Sequence, residues 1–278
     1  MTRAYLLLDS NLIPNLYPRL FELAKITVTH SLYLTTCYAE MASFGPVLVP
    51  VEPGSALAST FVDEWETRAG IWLESDANEI HVVEHLRSLI HVRLEGDVSA
   101  FFRYYDPCIT RLWLADMAEA ERDRLMGPVR CIRLPDGFVI HQKKPDQPCG
   151  HYAATPWLSL SAQTLEHLCK AQRELFTQHL VAHCQRYFPH CLQGLDAQAQ
   201  QAWAQGCQRN AARQGYSADD EVMAWASVYA AFGDEFPDGQ GHEVYRQLLS
   251  QRDASPERRL EQVLDELISQ FSPKESAV

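Results

Sequence analysis

The strand-forming runs of this sequence stop at residue 140, and beyond Trp157 the chain changes character. Glutamine occurs only at Gln142 and Gln147 before Trp157, whereas sixteen glutamines follow it. Glutamine is a good, uncharged helix former. No strand-like run accompanies it, so residues 157–278 read as all helical. The first 140 residues alternate. Short β-branched or aromatic runs predict strands at Ala4–Leu8, Ser31–Leu34, Pro46–Val51, Gly70–Leu73, His91–Leu94, Ser99–Tyr105, Val129–Leu134 and Phe138–Ile140. Helical spacing predicts helices over Pro14–Ala24, Ser55–Arg68, Asp76–Ile90 and Ile109–Leu125, the last broken near Ala118. Asp76, with Glu79 three residues on, has the form of a helix-starting pair. The stretch from His141 to Pro156 holds Pro145, Pro148 and Gly150 and reads as a linker. The expected architecture is α+β: a mixed α/β lobe over 1–140 (a mixed sheet with flanking helices), a linker over 141–156, and a helical lobe over 157–278.

In the second lobe, Ser161 caps a helix stopped by Pro189, and Asp196 caps one closed by Gly215. Ser217 with Asp220 opens a third, with Val222, Trp225, Ala226, Tyr229 and Phe232 on one face before Gly233. The segment from Gly233 to Gly241 suits a loop between helices. Ser255-Pro256 starts the last helix, where Leu260, Val263, Leu264, Leu267, Ile268 and Phe271 form a complete apolar stripe.

Two hundred and seventy-eight residues, 46% apolar and 22% charged, are enough for one large or two modest packed cores. A net charge of −12 argues against a nucleic-acid partner, because phosphate binding needs clustered Lys and Arg. The first apolar run, Ala4–Leu8, is closed by Asp9 and is too short for a signal peptide. No run is long enough to span a bilayer. A cytoplasmic location without a membrane partner is expected. The eight cysteines are scattered and hold no CxxC pair, so reduced, mostly buried thiols are expected.

The sharpest chemical signature is His81-Val82-Val83-Glu84-His85, which fits H-x-x-E-H. Histidines at i and i+4 share a helical face and suit zinc, with Glu84 as general base of a hydrolase. The competing reading is ordinary histidines at the rim of a helix that buries Ile80, Val83, Leu86 and Ile90, and no third ligand can be identified. His179, His183, Cys184, His190 and Cys191 also have a metal-like composition, but lack the tight paired spacing of structural zinc sites. No nucleophile elbow, phosphate loop or dinucleotide turn occurs. The expectation is therefore no catalytic residue, no metal and no cofactor.

The densest aromatic string is Phe101-Phe102-Arg103-Tyr104-Tyr105-Asp106-Pro107. As a strand it sends Phe101, Arg103 and Tyr105 to one face and Phe102 and Tyr104 to the other. An arginine among rings needs a partner, and Asp106 or Glu84 could supply one. Both a structural ion pair and an exposed aromatic docking site fit this string.

Taken in order, Tyr5-Leu6-Leu7-Leu8-Asp9, Gly45-Pro46-Val47-Leu48-Val49, His85-Leu86-Arg87, Phe102-Arg103-Tyr104-Tyr105-Asp106-Pro107 and Gly127-Pro128 resemble the adaptor-chaperone family of bacterial type VI secretion systems. That family has long been catalogued as a domain of unknown function, and the resemblance spans roughly residues 4–134. Family members often follow Asp-Pro with arginine, where this chain has Cys108. The resemblance implies a non-enzymatic protein that binds a toxic effector in the producing cell and loads it onto the VgrG spike. It also implies a shared α/β lobe and a variable helical lobe that sets cargo choice. In that lobe Trp203, Trp225, Tyr229 and Phe232 are the candidate effector contacts, since large aromatics dominate interface hot spots. Their helical spacing equally fits core packing. A stand-alone protein-interaction module is the other non-enzymatic alternative.

Overall fold

A run of four residues, Tyr5 to Leu8, with no solvent exposure sits at the centre of the fold. It belongs to β1 (Arg3–Asp9), the middle of a six-stranded sheet in the order β2 (His30–Ser31), β3 (Pro46–Val51), β1, β4 (Gly70–Ser75), β7 (Val129–Leu134), β8 (Phe138–His141). The computed structural model describes residues 2–25, 29–96, 98–145, 147–251 and 253–271. Side chains alternate across a strand, so Tyr5 and Leu7 enter one core while Leu6 and Leu8 enter another. The first core packs α3 (Glu79–Arg87), α4 (Pro107–Leu114) and α5 (Glu119–Met126) on the sheet; the second packs α1 (Leu16–Ala24) and α2 (Ala56–Thr60). A single π-turn, Phe61–Trp65, extends α2.

Every pairing in this sheet is antiparallel, which corrects the expected mixed sheet. Alternating strands and helices usually signal parallel crossovers. Here β3 and β4, which alternate with helices in the chain, do not pair with each other. Both flank β1 and run opposite to it. A separate ribbon joins β5 (His91–Arg93) to β6 (Ser99–Phe101).

Two expected strands are shorter than their composition suggests. The run Ser31–Leu34 pairs only through His30–Ser31, because Thr36 turns the chain: its hydroxyl donates to Tyr33 O at 2.6 Å and accepts from Tyr38 N at 3.0 Å. The run Ser99–Tyr105 stops at Phe101, because Arg103 to Asp106 form a turn closed by Asp106 N–H on Arg103 O. The predicted helix over Ile109–Leu125 is two helices, broken where expected. Asp76 does not open α3. Asn78 does, accepting from Ile80 N at 2.9 Å, while Asp76 binds Thr2 and Arg130.

The chain divides into two compact units, 1–172 and 173–278, with the division inside α6 (Ala162–Tyr187). Residues 141–156, expected as a linker, lack regular structure after His141 yet are fastened within the first unit. Lys143 N and Lys144 N donate to the two oxygens of buried Asp123, at 2.9 and 2.8 Å. Arg93 in turn exchanges backbone hydrogen bonds with Leu158 and Leu160. Asp146 lies outside the described residues.

The second unit contains α7 (Ala197–Arg213), α8 (Asp219–Phe232), α9 (Glu243–Leu249) and α10 (Pro256–Phe271). Ser161, Asp196 and Ser255 accept from the first turns of α6, α7 and α10, as expected. At α8 the acceptor is Glu221, one residue beyond Asp220; its carboxylate takes the N–H groups of Ser217 and Ala218. Helix α9 was not foreseen, being only seven residues long. In the α10 stripe Ile268 is exposed, and the Phe271 side chain lies outside the described residues.

Trp225 fills the centre of this unit. Its indole N–H donates to Asn210 Oδ1 at 2.8 Å, and the Asn210 amide donates to Phe236 O at 2.7 Å. Replacing Asn210 with alanine strands a buried donor and a buried acceptor, which costs about 2–4 kcal/mol. The urea midpoint of the Asn210→Ala variant should fall accordingly with an unchanged m-value; an unchanged midpoint would show that this bridge is dispensable.

Candidate functional site

Asp9 ends the buried central strand with its side chain only 4% exposed, so the carboxylate needs a cation. Arg103, 94 residues away, donates to its Oδ2 at 2.6 Å. This corrects the expected partner of Arg103, which is neither Asp106 nor Glu84. Asp106 instead caps α4, accepting from Cys108 N at 2.9 Å and Ile109 N at 3.2 Å, with Pro107 as the first helical residue. Glu84 pairs with Arg87 at 2.8 Å. Burial raises the Asp106 pKa despite the N–H groups it accepts. Burial also raises Tyr33 and Tyr105, whose hydroxyls meet beside Arg103. The two faces predicted for the string do not form, because residues 103–106 turn: Phe102, Tyr104 and Tyr105 are buried, while Phe101 is 48% exposed. Thr110 and Leu86 hold the turn, the one through Tyr104 O and the other by accepting from the Tyr104 hydroxyl.

The same residues fix the long loop between β2 and β3. Arg87 Nε donates to Leu32 O at 3.1 Å. A Cβ on Gly45 would collide with the Tyr33 ring, so glycine lets the loop close over it. Pro46 O accepts from Leu32 N, and Ser10 Oγ donates to Ser43 O and Gly45 O. The loop so held turns apolar side chains outward: Leu34, Met41 and Phe44 are 53%, 40% and 62% exposed. Beside them Tyr38 packs on Phe101 with ring centroids 4.5 Å apart, and both reach Tyr33. The Tyr38 hydroxyl meets His91 Nδ1 at 3.2 Å, and Tyr152 stacks on His91 at 4.9 Å. Burial and the neighbouring Cys37 push Tyr38 up to about 12. The loop thus presents exposed aliphatic and aromatic side chains, and its Tyr38 is fixed by the ring cluster of Tyr33, Phe101, His91 and Tyr152. Within the 101–107 string Arg103 thus holds a structural ion pair, while Phe101 is the aromatic residue left exposed.

Ile80, expected to be buried, is 66% exposed on α3, and His85 of the same helix is a joint whose ring nitrogens are both engaged rather than free to hold zinc. His85 is 1% exposed; its Nε2 donates to Leu125 O at 2.8 Å and its Nδ1 accepts from Gly150 N at 2.9 Å. Both ring nitrogens are thus taken by backbone, His81 is exposed, and Glu84 is held by Arg87. A Cβ at Gly127, where φ is +55°, would strike the His85 ring, so that position needs glycine on both counts. Pro128 O accepts from Ser75 Oγ at 2.6 Å. Leu86 packs in the core of the first unit.

Among the described residues no group of three or more His, Cys, Asp and Glu is placed to hold a metal. Of the second histidine-cysteine group, Cys184 is buried, Cys191 donates to Phe188 O, His183 packs on Tyr187 and Phe188, and His179 and His190 are exposed. Among the described residues no disulfide joins the cysteines; Cys131, Cys184 and Cys207 are buried and Cys37 and Cys169 exposed. The four aromatic candidates of the helical unit are brought together, but largely inside it. Trp225 is wholly buried and Tyr229 nearly so; Trp203 and Phe232 are partly exposed and pack on Tyr229 and Phe236. Tyr33, Tyr38, Phe44 and Gly150 were not anticipated. Asp9 was quoted in a motif without a role, although a carboxylate closing a wholly apolar strand is itself the signal for a buried ion pair.

Two outcomes follow for stability. Arg103→Ala leaves the buried Asp9 carboxylate with the Asn11 N–H but no cation, a loss of about 1–3 kcal/mol, and Asp9→Asn in the same chain should recover part of it in urea unfolding. If the double variant is no more stable than Arg103→Ala, the pair is not the cause. Burial holds the His85 pKa down at about 4, against 6.5 for the unfolded chain. The unfolded state therefore takes up its proton first, and stability present above pH 6.5 is lost as the pH falls towards 4. The stability difference between the wild type and His85→Gln should shrink by about 3 kcal/mol across that window; a difference independent of pH would contradict the buried neutral ring.

Among the described residues no helix is long and apolar enough to cross a membrane. No curated protein and no solved structure significantly matches the chain. Residues 4–124, the segment that carries β1, the His85 joint and the Asp9–Arg103 pair, match the family described as a domain of unknown function (DUF4123).

Proposed function

We propose that the protein is a cytoplasmic adaptor that binds a type VI secretion effector and promotes its loading onto the VgrG spike. The carrying observation is the set of exposed apolar side chains Leu34, Met41 and Phe44 on a loop anchored by Arg87, Gly45 and Tyr33, together with exposed Phe101, which packs on half-buried Tyr38 of that loop. An exposed apolar patch on a rigid support is the mark of a protein-binding surface. The resemblance of residues 4–134 to secretion adaptors, and the match of 4–124 to the domain family, support the same reading. No cofactor and no catalytic step is part of it. In the helical unit Trp203 and Phe232 keep enough exposure to serve as cargo contacts, whereas Trp225 serves the core.

The test is co-purification from the native cell. A toxin and a spike protein should accompany the tagged wild type. Phe44→Asp with Phe101→Asp should reduce capture of at least one of them about tenfold or more, because truncated hot spots each cost about 2 kcal/mol or more. The melting temperature should fall by no more than a few degrees, Phe44 being 62% exposed and Phe101 48% exposed with one side on Tyr38. Equal capture by the variant would remove this face from the proposal, and absence of both proteins from the wild-type preparation would reject the adaptor reading.

A further inference from the structure

The first unit carries a second surface, on the opposite side of the sheet from the His85 joint. Helices α1 and α2 cover β3, β1 and β4 there, but the cover ends at Trp72. Register places Trp72 opposite Arg133, and Arg133 opposite Val139, so these three share one face. Beyond the π-turn that face is an open groove of about 560 Å3. Phe61, Val62, Trp72, Leu134 and Val139 give it an apolar floor and wall. Val62 and Val139 are 56% and 40% exposed.

Three observations say what such a groove would take. The first is backbone. Strand β8 ends the sheet. Gln142 N–H donates to Arg130 O, and hydrogen-bonded pairs alternate along an antiparallel ladder. Residues 138 and 140 therefore face β7, while Val139 and His141 turn their N–H and C=O groups outward. An edge of this kind accepts an extended chain.

The second is charge. Glu74 pairs with Arg133 at 2.5 Å. Asp63 and Glu66 also line the groove and have no cation partner among the described residues. Burial, and then the charge of Asp136, raise the Glu66 pKa, as fits a carboxylate lacking a counter-ion. The third is the Trp72 side chain: the residue is 9% exposed, and its buried indole N–H has no hydrogen-bond partner among the described residues.

We infer that β8 and this groove bind an extended segment of a partner polypeptide whose groove-facing side chains, at every second residue, include both apolar residues and a lysine or arginine. The segment adds as a strand to β8, its apolar side chains entering the groove and its cations reaching Asp63 and Glu66. A second copy of this chain fits less well, since its own β8, Phe138–His141, offers no lysine or arginine to those acids. The inference rests on the sheet edge and the groove and not on the secretion reading.

The probe is a seven-residue, end-blocked peptide carrying valine and lysine by turns at every second position, with threonine between them, compared with its glutamate counterpart, against the full-length protein. Binding should shift or protect the amides of Val139 and His141, and the glutamate peptide should bind about tenfold more weakly or worse. Val139→Pro removes an outward N–H while leaving the β7 ladder intact, and should cost about tenfold in affinity at unchanged melting temperature. Should that variant misfold, two peptides N-methylated on alternate amides make the same test on the wild type: one set should abolish binding and the other spare it. Asp63→Asn with Glu66→Gln should erase the preference for lysine. The inference is overturned by equal binding of both N-methylated peptides, by equal binding of the glutamate peptide, by no binding of the lysine peptide at millimolar concentration, or by wild-type self-association that Val139→Pro abolishes.

Discussion

A carboxylate at the end of a strand buried on both faces governs the first unit. Asp9 cannot remain there without a cation, and the cation comes from a turn 94 residues later. Bringing Arg103 to it stops β6 at Phe101, turns the chain at Asp106 and starts α4. It also sets Tyr105 against Tyr33, and so fixes the inner wall of the loop from Leu32 to Gly45. The His85 joint does comparable work nearby. A neutral imidazole, bonded at both nitrogens to backbone, ties α3 to the end of α5 and to Gly150. Segments that look separate in the chain are thus two joints of one scaffold.

Much of this was legible in the sequence, and what was not has physical reasons. The strands Pro46–Val51 and Val129–Leu134 coincide with their predicted runs, because all but one residue of the first and all but the two arginines of the second are buried. The caps Ser161, Asp196 and Ser255 were readable because a side chain satisfies a backbone donor two or three residues away. Strand ends set by distant partners were not readable. Nothing local says that Arg103 would reach Asp9. The antiparallel sheet was missed for the same reason: which strand flanks β1 is decided by long-range pairing. The candidate docking face was half visible, through Phe101, and half hidden, since Phe44 and Met41 become a surface only once Gly45 and Arg87 pin their loop. The histidines at His81 and His85 looked alike in spacing. Burial alone separates them, one at the surface and one beneath it.

The scaffold leaves two different surfaces on the first unit. One is aromatic and preformed on a loop, suited to side-chain packing. The other is a sheet edge beside an acid-lined apolar groove, suited to backbone pairing. An adaptor must engage a cargo and a receiver without the two competing for one patch, and surfaces of unlike chemistry satisfy that requirement. The helical unit is held together by Trp225 and Asn210 locked at its centre.

The central claim, that the loop face is a binding surface held by the Asp9–Arg103 and His85 joints, is most directly tested by photo-crosslinking in the native cell. A photoreactive amino acid placed at position 44 should yield a discrete adduct with a toxin or spike protein, while the same group at exposed Tyr187 of the second unit should not. Adducts at both positions alike, or at neither, would contradict the account.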